Sequence, residues 1–205
     1  MPSIYGLKPK FQSLLRPISN VLARAGVTAN QVTFFAMLLS FATGAAIFYF
    51  HSLHILLLLP VVLLLRMALN AIDGMLAREH NQKSSLGAIL NELGDVFSDA
   101  ALYLPLAVIP PFDPIAIVLI VLLAVFSEMM GVTGVQVGAS RRYDGPMGKS
   151  DRAFVFGALG LLLGLESPIV PVVRPILWIV LVLLLLTIIN RARGALRELR
   201  GRTSL

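Results

Sequence analysis

Apolar residues run through this chain in long stretches separated by short polar or basic segments, without the strict alternation of half-buried strands. A membrane-spanning helix needs about 20 mostly apolar residues. Six runs suggest such helices, near 31–51, 53–77, 85–109, 114–138, 152–166 and 170–189. The fifth is the weakest, being short and carrying Gly157, Gly160 and Gly164. Pro60 and Pro105 fall inside two runs, where they are expected to kink the helices rather than end them. Ahead of the first run, residues 8–25 place Phe11, Leu14, Leu15, Ile18 and Leu22 at helical spacing with basic residues between them. That is the pattern of an amphipathic helix lying on a membrane. Lys8, Lys10 and Arg16 interrupt this segment and no small-residue cleavage site follows, so it does not read as a signal peptide. The expected architecture is an all-α integral membrane protein forming one domain over 1–205. It comprises a juxtamembrane surface helix at 8–25, a six-transmembrane-helix bundle over 31–190 and a basic cytoplasmic tail over 191–205.

Composition narrows the class. Hydrophobic residues make up 57% of the chain and charged residues 14%, leaving too few polar groups to cover a soluble globule. A soluble enzyme, a disordered chain and a disulfide scaffold are thereby excluded. The absence of cysteine removes thiolate catalysis, Cys-ligated zinc and iron–sulfur chemistry. The net charge of +6 is explained by topology rather than by nucleic acid. Every Lys and Arg except Arg66 and Arg174 falls in the N-terminal segment, around 78–83, around 141–152, or after residue 190. By the positive-inside rule these segments and both termini are cytoplasmic, as an even number of spans requires.

Six ionisable groups inside the apolar runs stand in positions that need explaining: Arg66, Asp73, Glu92, Asp95, Asp99 and Glu128. Charge at membrane depth is costly unless paired or hydrated, so such residues are functional candidates. Arg66, Asn70 and Asp73 share one helical face, as do Asn91, Asp95 and Asp99, with Glu92 beside them. The short link between the two runs brings these polar stripes together near the cytoplasmic end. Arg66 and Glu128 are expected to form a structural ion pair. Clustered carboxylates repel unless a cation lies between them. With oxygen donors only, magnesium, manganese or calcium would suit. His51, His54 and His80 are scattered and read as surface residues.

From residue 70 the chain reads NAIDGMLAREHNQKSSLGAILNELGD. This resembles the CDP-alcohol phosphotransferase signature D-x2-D-G-x2-A-R-x8-G-x3-D-x3-D. Asp73, Gly74, Ala77, Arg78, Gly87 and Asp95 match, while Asn70 and Asn91 stand where the family carries its first and third aspartates. Upstream, VTANQVT is similar to the family's V-T-P-N-x-[VI]-T segment, with Ala29 in place of proline and Asn30 retained. GKSDRA at 148–153 lies where relatives carry a basic G-K-rich segment.

The resemblance implies transfer of a phosphatidyl or similar phosphoalcohol group from a CDP-linked lipid donor to a hydroxyl acceptor, with release of CMP. It implies one or two Mg2+ or Mn2+ ions, whose binding can depend on substrate. Asp73, Asp95, Asn70 and Asn91 occupy the metal-ligand positions, and Asp95 is also the candidate general base. Gly74, Ala77, Arg78, Ser84, Gly87, Asn30, Lys149 and Arg152 are candidate substrate-binding residues. Arg141 and Arg142 are expected to meet anionic lipid head groups, and Gly131, Gly134 and Gly138 to serve close helix packing. The expected donor is CDP-diacylglycerol and the acceptor a small alcohol, at the inner face of a bacterial cytoplasmic membrane, in a homodimer.

Two carboxylates remain where the family has four, which weakens any two-ion site. Glu92 and Asp99 could supply the missing charge. Alternatively, ion and substrate could bind together, or the chain could bind a CDP-lipid without turnover. A transporter is a third function class, disfavoured by the absence of internal repeats and by the acids gathering toward one side.

Overall fold

The computed structural model describes residues 8–203, and every regular element among them is helical. α1 spans Lys8–Arg24, α2 Ala29–Phe50, α3 Leu58–Glu79, α4 Ser85–Tyr103, α5 Pro114–Gln136, α6 Lys149–Gly164 and α7 Val170–Thr203. Four helical segments are long and apolar enough to cross a membrane: Ala29–Phe50, His54–Glu79, Pro114–Gln136 and Val170–Arg202. α4 differs because Glu92, Asp95 and Asp99 lie within it, and α6 because it has only 16 residues.

Local chemistry sets the helix ends. Thr28 starts α2 in a capping box with Gln31. Ser84 starts α4 by accepting from the Gly87 amide at 2.9 Å. Asp113 accepts from the Ile115 and Ala116 amides ahead of Pro114 to start α5.

The two prolines act differently from the expected kinks. Pro60 lies in the first turn of α3, after a 3₁₀ turn at His54–Leu57, where its missing N–H would have had no helical partner anyway. Pro105 sits in a 3₁₀ turn, Leu104–Val108, that follows the end of α4 at Tyr103. It cannot donate to the Ala101 carbonyl, and that carbonyl lies against Gly44 of α2, 1.9 Å from where a Cβ would be. The third apolar run is therefore a 19-residue helix with a tighter turn after it. The basic segment after residue 190 is helical, continuing α7 through Thr203.

α2 packs against both α3 and α4, α3 against α6, α4 against α5, α5 against α7, and α1 against α3. The main core gathers residues such as Leu56, Leu59, Leu102, Ile120, Leu163 and Leu177, with Tyr103 stacked on Phe156 at 4.4 Å. The glycines of α6 permit its close approach: a Cβ on Gly160 would lie 2.8 Å from the Leu56 carbonyl oxygen. A smaller cluster of Leu15, Val32, Ile72, Met75 and Leu76 lies beneath α1. There Leu15 is buried while Leu14, Ile18 and Val21 on the same helix are exposed. Arg16 fixes α1 to the end of α3 through two bonds of 3.0 Å to Glu79. Phe34, Phe35, Phe41 and Phe48 of α2 point outward, as do Leu64, Leu119, Phe126 and Ile179 on other helices. An outward apolar surface of this kind suits a hydrocarbon solvent.

Candidate functional site

Both polar stripes flank α2, and long side chains bridge α3 and α4. On α3, Arg66 donates to Asp99 Oδ1 at 2.5 Å and to the Asp95 carbonyl oxygen at 2.9 Å. One turn onward, Asn70 Nδ2 donates to Asp95 Oδ1 at 3.0 Å. From the start of α6, Lys149 Nζ reaches Asp95 Oδ2 at 2.5 Å. Asp95 thus has a hydrogen-bond donor on each oxygen, with Arg66 a further 3.6 Å from Oδ1.

Asp73 has a different environment. It is only 4% exposed, and Thr33 of α2 donates to its Oδ2 at 2.8 Å. No Lys, Arg or His among the described residues forms an ion pair with it, although Asp95 and Lys149 lie close enough for electrostatic interaction. A buried carboxylate without a paired cation is costly. Asn91, one turn before Asp95, is partly exposed.

The loop after α3 joins further candidate residues. Gln82 accepts from the Ala29 amide at 2.7 Å and donates to the Val27 carbonyl at 3.3 Å, tying this loop to the start of α2. A Cβ on Gly87 would lie 2.7 Å from Asn30 Oδ1 and 3.0 Å from Ser84 Oγ, so Asn30, Ser84 and Gly87 converge. A Cβ on Gly74 would lie 2.8 Å from Nη2 of Arg78, whose exposed side chain lies along that face of α3. Ala77 is partly buried beside it.

Several expectations for the charged residues are corrected by the packing. Arg66 pairs with Asp99, not Glu128. Glu128 instead faces Arg152 at 3.3 Å, Arg191 at 3.3 Å and Arg141 at 3.5 Å. Asp99 offers no free charge to an ion, because Arg66 takes Oδ1 while Arg152 takes Oδ2. Glu92 is likewise held by Arg141 through bonds of 2.6 and 2.5 Å. The expectation that Glu92 and Asp99 compensate for the asparagines therefore does not hold in this geometry. Arg152 is fully buried and also donates to the Met147 carbonyl, so its guanidinium is structural and out of reach of an external phosphate. Arg141 and Arg142 face acidic side chains rather than head groups, Arg142 pairing with Asp144 and Glu198. Burial opposes the Arg141 charge, but Glu92 more than offsets this and holds its proton affinity above the usual arginine range.

Gly131 and Gly134 do admit close contacts, to the carbonyls of Arg142 and Ser140, whereas Gly138 lies beyond α5 in a left-handed turn. Two contributors escaped the charge pattern. Thr33 gave no charge signal, although it belongs to the VTANQVT segment. Arg191 resembled a topology-setting residue, yet it is 2% exposed and donates to the Ser127 carbonyl.

No group of three His, Cys, Asp or Glu residues suited to a metal occurs among the described residues. The candidate set instead combines the carboxylates of Asp73 and Asp95 with the side-chain amides of Asn70 and Asn91. Its oxygen donors, together with the unpaired charge buried at Asp73, fit a hard divalent cation. Lys149 on Asp95 is the feature that such an ion would have to accommodate.

Comparison with known proteins gives a consistent picture. The family profile of the CDP-alcohol phosphatidyltransferases matches residues 26–190. The Escherichia coli inner membrane protein YnbA is 46% identical over 195 residues, covering 95% of this chain and 96% of YnbA. Archaetidylinositol phosphate synthase of Pyrococcus horikoshii is 31% identical over 101 residues, about half of each chain (49% and 52%). Among solved structures, Mycobacterium tuberculosis phosphatidylinositol phosphate synthase in complex with manganese and citrate superposes with a TM-score of 0.74. It is 22% identical, with 88% of each chain covered. The same synthase with CDP-DAG bound gives 0.73, covering 89% of this chain and 94% of that one, also at 22% identity.

Proposed function

The chain belongs to the CDP-alcohol phosphatidyltransferase family, and on that premise we propose that it transfers a phosphatidyl group from CDP-diacylglycerol to a hydroxyl acceptor, releasing CMP. The observation that carries this reading is the convergence on Asp95 of Asn70, the first signature position on α3, and Lys149, at the start of α6. The donor assignment draws support from the CDP-DAG-bound synthase of the same fold. Lys149, whose side chain is 31% exposed at the start of α6, favours a phosphorylated alcohol as acceptor.

In this reading Asp73, Asp95, Asn70 and Asn91 hold Mg2+ or Mn2+. When bound, such ions neutralise phosphoryl charge and help align the attacking and leaving oxygens. Thr33 fixes the rotamer of Asp73 by its hydrogen bond. Asp95 receives the acceptor's hydroxyl proton at a carboxylate oxygen. Gly74 and Ala77 lack bulk and let the nucleotide approach α3, where Arg78 supplies a guanidinium to its phosphates. Asn30, Ser84 and Gly87 line the donor-binding end of α4.

The full arrangement we propose is one domain over 1–205 with six spans, α4 and α6 included, and α1 lying on the membrane surface. Both termini and the reaction centre face the cytoplasm of a bacterial inner membrane, and two copies associate as a homodimer. Support comes from the distribution of Lys and Arg and from the exposed apolar positions on α1.

The decisive experiment supplies purified protein with magnesium or manganese, CDP-diacylglycerol and a panel of alcohols, then measures CMP and new lipids by mass spectrometry. Product that disappears in Asp95→Asn supports transfer. CDP-lipid binding with no CMP release for any acceptor supports the second reading, a binding protein without turnover. Asn70 and Asn91 at aspartate positions are the observation favouring that alternative.

A further inference from the structure

The two signature carboxylates have unequal surroundings. Asp95 already faces a positive charge carried by the chain, the Lys149 ammonium at 2.5 Å, while Asn70 fills its other oxygen at 3.0 Å. Asp73 is buried at 4% exposure and has no ion pair among the described residues. Four aspartates would balance two divalent ions. Here Asn70 and Asn91 remove two of those charges, and Lys149 offsets one of the two that remain. A single divalent ion already outweighs the one negative charge that is left, giving a net +1, and a second would raise the surplus to +3 before the anionic donor arrives.

We infer that Lys149 is a tethered cation standing in for one of two divalent ions, leaving one metal ion per chain, held on the Asp73 side of the site. The inference deepens the proposed function and rests on the reading of Asp73 and Asp95 as ion ligands. Lys149 can serve because it lies at the first position of α6, with its side chain 31% exposed and its stem long enough to reach Asp95 on α4. Asn70 supports the substitution by donating an N–H where an aspartate would have repelled Asp95. The arrangement links two sequence departures on α3 and α4 to a basic residue more than fifty positions away.

The test is a count of ions rather than a rate. Purified protein in detergent is titrated with Mn2+ alone, and the free ion is followed by electron paramagnetic resonance. Wild-type protein is expected to bind one ion per chain. Asn70→Asp with Asn91→Asp should add a second ion at least tenfold weaker than the first. Adding Lys149→Met to that pair should bring the second ion to an affinity within about tenfold of the first. Size-exclusion profiles and helical circular dichroism establish that each variant is folded. Two ions on the wild-type chain overturn the inference, as does a folded triple variant that binds no more ions than wild type. If no variant binds an ion, the ligand reading itself fails. Absent CMP release with one bound ion would instead count against the proposed transfer while leaving this inference intact.

Discussion

Arg152 on α6 clasps Asp99 on α4 entirely within the bundle, its Nη2 2.7 Å and its Nε 3.1 Å from the same carboxylate oxygen. Arg66 holds the other oxygen, and Glu128 lies 3.3 Å from Arg152. Removing one member of such a network leaves a buried charge uncompensated, at a cost of about 3–5 kcal/mol. Arg152→Met is expected to lower the folded yield in detergent and the melting temperature sharply. Arg152→Met combined with Asp99→Leu should recover part of that loss. A melting temperature equal to wild type for Arg152→Met would show that the clasp contributes nothing to stability.

The crossing of α2 and α4 depends on Gly44. A Cβ there would lie 1.9 Å from the Ala101 carbonyl oxygen, a backbone atom that cannot swing aside. Gly44→Ala should cost about 1–3 kcal/mol through forced separation of the helices. The displacement would also disturb Thr33 on α2 and Asp95 on α4, so CMP release should fall with stability. Gly201→Ala, with nothing within 4 Å of the added atom, is the matched control and should leave the melting temperature unchanged.

Thr33 gives a finer probe. Thr33→Val preserves shape but deletes the 2.8 Å hydrogen bond to the buried Asp73 carboxylate. Hydrogen bonds to charged groups contribute about 1.5–3 kcal/mol, so turnover is expected to drop about tenfold to a hundredfold. Thr33→Ser should keep most of the activity. Equal rates for Val and Ser would remove Thr33 from the positioning of Asp73.

Arg78 and Gly74 can be separated by kinetics. Arg78→Ala should raise KM for the CDP-lipid more than it lowers kcat, because its exposed guanidinium is available to the donor's phosphates. Arg78→Lys should recover little, since a point charge lacks the planar fork. Gly74→Leu should mimic Arg78→Ala by displacing the guanidinium tip that lies 2.8 Å from an added Cβ. An unchanged KM in both variants would place donor recognition elsewhere.

Ion and donor should also bind cooperatively. With only two carboxylates at the four signature positions, the donor pyrophosphate supplies charge that the protein lacks. Isothermal titration with magnesium should show affinity rising at least tenfold when CDP-diacylglycerol is present. Equal affinity with and without the lipid would eliminate this coupling.

Much of this protein is written in linear pattern. The apolar runs located the α-helices, because helix length and lipid compatibility are set by consecutive residues. The spacing from Asn70 to Asp95 marked the candidate site for the same reason, since periodicity fixes which residues share one helical face. Pro105 was legible as a disturbance, but its outcome required the neighbouring helix, where Gly44 receives the Ala101 carbonyl.

Tertiary structure alone decided the partners of the charges. Periodicity could place Arg66, Glu92, Asp99, Glu128 and Arg152 within their helices. It could not select Arg66 for Asp99, Arg141 for Glu92, or Arg191 for Glu128. Those choices arise from how α3 to α7 rotate and approach one another, a balance of apolar packing and charge neutralisation that spans the whole bundle. The same packing brings Lys149 to Asp95, so the sequence determined which groups could handle a cation and the fold determined which of them already hold one.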